Sequence, residues 1–281
     1  MSSGKRKVLI TGCSDGGLGA ALAIAFHRAG LHVIATARNP AKLKRLEALG
    51  IETYTLDTLS DSSIAECVSK LAELDILVNN AGSGHCMPVA DVSIAEAKKC
   101  FDLNVWSYIA VAQAFLPLLL KSKGTIVNQT SIASVFNFPF QASYNASKAA
   151  MAIFSDAMRR ELQPFGITVV DLKTGNVNTN FFGNQRGGTP VVLPKGSIYE
   201  PAKEEVEKTL RGERYEGMGM PAEEWARQVV HDLLRPTPPS TIWRGNYAFI
   251  TRILAWLPLS WTDGILKDTT GLYAVEKALQ K

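Results

Sequence analysis

A glycine-rich stretch near the start of the chain, Thr11-Gly12-Cys13-Ser14-Asp15-Gly16-Gly17-Leu18-Gly19, stands between a short apolar run at 8–10 and a helix-patterned segment at 18–29. Glycine lets a backbone turn tightly and approach a pyrophosphate closely, and the N-terminus of the following helix offers unpaired N–H groups and a partial positive charge. A ligand-free glycine turn is the plainer reading. The strand–turn–helix context favours a nucleotide site contacted by Ile10, Gly12, Ser14, Gly17, Leu18 and Gly19.

Further apolar runs at 32–37, 52–56, 76–79, 125–130, 167–172 and 241–243 alternate with amphipathic segments at about 40–49, 62–73, 94–121, 142–163 and 222–234. Strands alternating with helices pack as a parallel sheet covered on both faces. The expected fold is therefore α/β, a single-domain Rossmann-type doubly wound parallel sheet with helices on both faces. With 281 residues, 46% of them apolar and 20% charged, the chain can bury such a core without staples. One dinucleotide-binding catalytic domain is expected over 1–281. Residues 178–220 lose the rhythm and are rich in glycine, proline and charge. They read as an irregular substrate lid, begun by Phe181 and Phe182, at the sheet edge where ligands bind.

The net charge of +4 is spread along the chain, so no nucleic-acid footprint is expected. The four cysteines form no CxxC pair and have no histidine cluster beside them, which reads as reduced thiols of an intracellular, cytoplasmic protein with no metal site. No stretch reaches the ~18 apolar residues that a membrane span needs. The apolar C-terminal extension at 246–281 comes nearest at 248–261, where Arg252 and Pro258 interrupt it. That segment has two readings, peripheral contact with a membrane surface and a buried dimer or lid contact.

The second apolar run ends in Thr36-Ala37-Arg38. An NAD site wants a carboxylate here for the adenosine ribose, whereas Arg38 offers a guanidinium that fits a 2′-phosphate bidentately. With Lys42 as a second cation, the expected cofactor is NADP(H), against the plainer reading of two solvated surface charges. Asp57, after the third run, can accept from an adenine amino group. Asn80, within Asn79-Asn80-Ala81-Gly82, marks a tight polar turn at the ligand edge of the fourth.

Tyr144-Asn145-Ala146-Ser147-Lys148 lies in a strong helical pattern, so Tyr144 and Lys148 share one helix face. An ammonium beside a phenol lowers its pKa, and the phenol can then pass a proton to or from a substrate oxygen. Ser131, at the end of the fifth strand, can hydrogen-bond the same oxygen. Asn104, in the long helical segment beside this face, can hold a water that links Lys148 to solvent. Phe136, Phe138 and Phe140, like Cys86 and Met87, suit either a substrate wall or plain packing. Taken one at a time, each of these residues has an ordinary structural explanation.

Jointly, TGCSDGGLG, NNAG at 79–82, Asn104, Ser131, YNASK and Gly175-Asn176-Val177-Asn178-Thr179 resemble the short-chain dehydrogenase/reductase family over about residues 5–245. The resemblance implies Tyr144 as catalytic acid/base and Lys148 as the residue that lowers its pKa and binds the nicotinamide ribose. It implies Ser131 as the group orienting the substrate oxygen and Asn104 as the fourth catalytic member. Val177 and Thr179 are implied at the carboxamide end of the nicotinamide, the hydride transferred is the pro-S one, and the chain is expected to form a homo-oligomer. Two features depart from the family pattern. The doubled glycine adds one residue to TGxxxGxG, and Thr174 replaces a proline that would stiffen the following loop. The doubled glycine and Trp243-Arg244-Gly245 resemble the branch that holds fungal acyl-dihydroxyacetone-phosphate reductases. That branch implies a hydrophobic carbonyl substrate, lipid-like or from specialised metabolism, with endoplasmic reticulum or lipid droplets as the place of any peripheral attachment. Alcohol oxidation by the same residues is a second reading. A nucleotide-sensing protein without turnover is a third, weakened because such proteins lack the tyrosine or lysine present here.

Overall fold

Strand β1 (Lys7–Ile10) shows why this sequence layers as it does. Its side chains alternate across the sheet, so Val8 and Ile10 enter one hydrophobic core while Leu9 enters another. The computed structural model describes residues 4–180 and 190–280. In chain order, β1 is followed by α1 (Leu18–Arg28), β2 (His32–Ala37), α2 (Lys44–Ala48), β3 (Glu52–Thr55), α3 (Asp61–Ser69) and β4 (Ile76–Asn79). Then come α4 (Ile94–Phe101), α5 (Ser107–Ser122), β5 (Thr125–Ser131), α6 (Ala142–Leu162), β6 (Thr168–Thr174) and β7 (Val177–Asn178). The remaining elements are α7 (Lys203–Leu210), β8 (Met220–Pro221), α8 (Ala222–Leu233), β9 (Thr241–Arg244), α9 (Ala248–Leu254), α10 (Asp263–Thr270) and α11 (Leu272–Leu279).

Seven strands form one parallel sheet in the order β3-β2-β1-β4-β5-β6-β9. The order reverses between β1 and β4, the kind of switch point where the C-terminal ends of strands open into a ligand crevice. On one face, α1 and α8 pack together over Val8, Ile10, Val78, Val127 and Val170, with Trp225 fully buried among them. On the other, α3, α5 and α6 cover Leu9, Leu77, Ile126 and Val169. This is the doubly wound, Rossmann-type architecture that the alternating pattern predicts.

Three segments differ from that pattern. Residues 40–49 hold a 3₁₀ turn at Pro40–Lys42 before the short α2, the turn being started by proline at its first position and by the Asn39 side chain, which accepts from the Ala41 amide. The segment at 94–121 is not one α-helix, since a π-helical turn at Asp102–Trp106 separates α4 from α5. Contrary to the expectation that no stretch is apolar enough for a membrane span, Ile94–Ser122 contains an 18-residue window of mean hydropathy 1.6. Half of that window is buried inside the protein, and α5 is a core helix lying on the sheet.

The third difference lies within 178–220, which is only partly irregular. The helix α7 sits there because Val206 and Leu210, one turn apart, bury themselves fully among charged neighbours. With Val191, Leu193, Cys86, Met87, Phe140 and Val275 of α11 they form a third, smaller core. The buried carboxylate of Glu207 accepts from the Leu193 amide at 2.9 Å and holds the strap at 191–193 to α7. Cys86, Met87 and Phe140 are thus packing residues of this wall. The expected role of Phe181 and Phe182 lies outside the described residues.

Candidate active site

The glycine turn is held from below and from one side. The Cys13 amide donates to the Thr36 carbonyl at 2.7 Å, and the Thr36 hydroxyl donates to the Ile10 carbonyl at 3.1 Å. Thr36 and Ile10 are both fully buried, so their side chains support the turn from within the sheet. From β4, the Asn80 side-chain amide donates to the carbonyls of Thr11 and Gly12 at 2.7 and 3.1 Å, while the Thr11 hydroxyl accepts from the amides of Asn80 and Ala81. This clasp leaves no space for side chains. A Cβ on Gly12 would lie 2.7 Å from the Ala81 Cα, and one on Gly19 would lie 2.6 Å from the Gly12 carbonyl oxygen.

The doubled glycine resolves into two different residues. Gly16 has φ +75°, which disfavours any side chain, and a Cβ there would meet the Asn180 amide at 2.5 Å. Gly17 has an ordinary extended φ of −100° and begins α1, with no side chain capping the first turn. The amides at the start of an eleven-residue helix therefore open beside a Cβ-free cradle, which fits a dinucleotide pyrophosphate. Ser14 and Leu18 are half-buried along it.

Arg38 is the first residue past β2, and both it and Lys42 are exposed. Among the described residues neither forms an ion pair, so both cations face solvent beside the turn. The Lys42 backbone carbonyl accepts from the Asp15 amide at 3.1 Å, and Arg45 pairs with the Asp15 carboxylate at 3.1 Å. Asp57 is half-buried, with one carboxylate oxygen accepting from the Leu59 amide at 3.1 Å, which leaves the other for a ligand. Val177 packs on the α1/α8 core and pairs with Met220, while Thr179 is half-buried just beyond β7. Asn180 and Arg45, which nothing in the sequence marked, meet the turn only because the fold folds two distant segments over it.

Ser131, Tyr144, Lys148 and Asn104 converge at the C-terminal ends of β4 and β5. Lys148 is buried and donates to the Gln129 carbonyl at 2.8 Å, with no carboxylate partner among the described residues. Burial pulls its ammonium down from the ordinary 10.5 to about 8. Tyr144 hydrogen-bonds with Ser131, yet burial outweighs that bond and pushes the phenol up to about 12. The expectation that the ammonium lowers the phenol pKa is not met in this structure. Desolvation of the phenolate dominates, and Lys148 Nζ stands 5.9 Å from the centre of the Tyr144 ring.

Asn104 is fully buried in the π turn. Its Oδ1 accepts from the Ser83 amide, and its Nδ2 donates to the Ser83 carbonyl and the Ser147 hydroxyl, each at 3.0 Å. The side chain therefore pins the loop after β4 to α6. Gly82 fills the gap, since a Cβ there would lie 2.9 Å from Asn104 Oδ1 and 3.5 Å from Lys148 Nζ. Thr174 is not a mere gap left by a missing proline. Its hydroxyl accepts from the Gln129 side-chain amide at 2.6 Å, tying the ends of β5 and β6 together.

The family model described as short chain dehydrogenase matches residues 6–189. A short-chain dehydrogenase/reductase of Pestalotiopsis microspora is 51% identical over all of this chain and 99% of its own. An NADPH-dependent 1-acyldihydroxyacetone phosphate reductase of Schizosaccharomyces pombe is 36% identical over 90% of each chain. The crystal structure of a short-chain dehydrogenase from Streptomyces avermitilis superposes with a TM-score of 0.77 at 26% identity, covering 99% of this chain and all of that one.

The buried ammonium has a signature in stability. Between pH 8 and 10.5 the unfolded chain holds the Lys148 proton more tightly than the folded one, so stability rises with pH across that window. Chemical denaturation should show the wild type gaining on the order of 3 kcal/mol relative to Lys148→Met between these limits. Parallel curves for the two proteins would contradict the burial of a charged lysine.

Proposed function

Because the chain belongs to the short-chain dehydrogenase family, we propose that it reduces a hydrophobic ketone or aldehyde with NADPH, Tyr144 donating the proton. The observation that carries this reading is a buried Tyr144 phenol, hydrogen-bonded with Ser131 and one helical turn from Lys148. With its pKa near 12 the phenol is protonated at neutral pH. It is therefore ready to give a proton to an oxygen gaining charge.

When bound, NADPH supplies the hydride. The turn from Gly12 to Gly19 and the open start of α1 hold its pyrophosphate, and Arg38 with Lys42 meets the 2′-phosphate. Asp57, Asn80, Val177 and Thr179 line the remaining length of the cofactor site. Ser131 gives a hydrogen bond to the substrate oxygen, and Lys148 keeps positive charge beside the phenol as its proton leaves. The relative from Schizosaccharomyces pombe, named for NADPH and an acylated phosphate ester, supports both the cofactor and a lipid-like carbonyl. A ketone of specialised metabolism is the second substrate class, as the branch resemblance implies.

We also propose that α9 carries the protein onto an anionic membrane surface. Ala248 and Thr251 face the protein, whereas Phe249, Ile250 and Ile253 of α9 lie on the outside with Trp256 and Leu257 in the turn just past its end, Trp256 being 88% exposed. From 246 to 262 the only charge is Arg252, and no carboxylate opposes an acidic headgroup. The helix also packs against the turn Ile132–Ser134 directly after Ser131, so the apolar stripe lies near the catalytic serine.

Three outcomes test these readings. Tyr144→Phe should lower carbonyl-dependent NADPH oxidation by at least about 10²-fold, with NADPH affinity nearly unchanged in calorimetry. Substantial residual turnover would remove Tyr144 from the proton step. Arg38→Asp should shift the ratio of kcat/KM values from NADPH toward NADH by about tenfold or more, and an unchanged ratio would assign the discrimination elsewhere. Replacing Phe249 and Trp256 by serine should abolish co-sedimentation with phosphatidylserine vesicles. If wild type ignores vesicles yet dimerises through this stripe, the membrane reading falls.

A further inference from the structure

Tyr108, in the first turn of α5, is almost fully buried, and the proton chemistry does not call on it. Lys148 Nζ lies 5.2 Å from the centre of its ring, closer than the 5.9 Å to the ring of Tyr144. The Tyr108 hydroxyl donates to the Gln129 carbonyl at 3.3 Å, the same carbonyl that accepts from Lys148 at 2.8 Å. Both groups therefore converge on one backbone oxygen at the end of β5.

An ammonium removed from water needs compensation, and here it does not come from a carboxylate. Each element packed around Lys148 can be checked for charge. From α4, Cys100 contributes a thiol that burial keeps neutral. From α6, Tyr144 is a neutral phenol, and from α5, Tyr108 is held neutral by its own burial. From β6, Asp171 is the nearest acid in effect, but it is paired with Lys173 at 2.8 Å and bonded to Thr130. The loop after β4 brings Gly82 and the π turn brings the Asn104 amide, neither of which carries charge. What remains is one carbonyl and two aromatic faces, and an aromatic face attracts a desolvated cation.

We infer that Tyr108 is a positioning residue for the reaction, its ring holding Lys148 protonated and aimed along the Gln129 carbonyl beside Tyr144. The inference rests on the proposed reductase chemistry for its functional meaning, but the interaction itself is measurable in NADPH binding. The sequence distance from Tyr108 to Lys148 is forty residues, and Lys148 belongs to a different helix, so only the crossing of α5 and α6 over β5 brings them together.

The test keeps the ring and changes only its electrons. Tyr108→Phe is compared with chains carrying 4-fluoro-, 3,5-difluoro- and 3,4,5-trifluorophenylalanine at the same position, each checked for an unchanged melting temperature. Two readouts are followed across pH 6 to 10, the dissociation constant for NADPH and kcat/KM for carbonyl reduction. Both should weaken above the Lys148 pKa, near 8 in the unmodified chain. Each added fluorine should move that limb to lower pH, by about one unit in total for the trifluoro ring, or roughly tenfold at pH 8 with little change at pH 6. A limb that stays in place through the series overturns the proposal, and so does a uniform loss at every pH, which marks Tyr108 as packing alone. If no carbonyl is reduced, the reductase reading fails on its own terms, and the NADPH-binding limb still decides the role of Tyr108.

Discussion

Asn80 is the point on which this architecture turns. Its side-chain amide grips two carbonyls of the glycine turn, and its backbone amide is received by Thr11, so the ends of β1 and β4 are locked edge to edge. In a parallel sheet these neighbouring strands come from separate βα units, and nothing local forces their ends into register beyond the ladder. The clasp supplies that register at the switch point. It also explains the small residues around it, because Gly12, Gly19 and Ala81 are pressed within contact distance of one another and of Asn80. The cradle exists because three chain segments are held too close for side chains.

A different economy governs the other half of the site. Lys148 and Tyr144 are both taken out of water, and burial moves their proton affinities toward neutrality of each group, the amine downward and the phenol upward. Family resemblance implies an ammonium that depresses the phenol. In the structure each group is governed first by its own loss of solvent. The ammonium is retained by a carbonyl and by aromatic faces, and the phenol waits in its protonated form. An acid held this way has a proton to give and little tendency to lose it to solvent.

Much of the fold was readable because its signals are local. A three-residue apolar run next to glycines, or Tyr144 and Lys148 at i and i+4, announces itself without knowledge of distant residues. What stayed hidden depends on long-range assembly. The helix α7 offered only Val206 and Leu210 as an apolar pair within a charged segment, and its reason to form is a core shared with Phe140 and Val275. The supporting roles of Thr36 and Thr174 arise from carbonyl and amide partners on neighbouring strands. Asn180 meets Gly16 only once the segment after β6 has folded back over the turn. Asn104 stood out in the sequence as a candidate, while its grip on Ser83 did not, because that grip depends on a loop more than twenty positions away.

The π turn at Asp102–Trp106 acts as a phase shifter between two helices. A π turn adds one residue to a helical repeat, and one residue corresponds to about 100° of rotation about the axis. The face of α5 is set by its packing on the sheet, whereas α4 packs against α6 and brings Cys100 toward Asn104 and Ser147. Without the extra residue those two demands would fall on different sides of one continuous rod. The insertion lets a single stretch of chain answer the core with one half and α6 with the other, so the length of that turn, more than its composition, keeps the two halves in step.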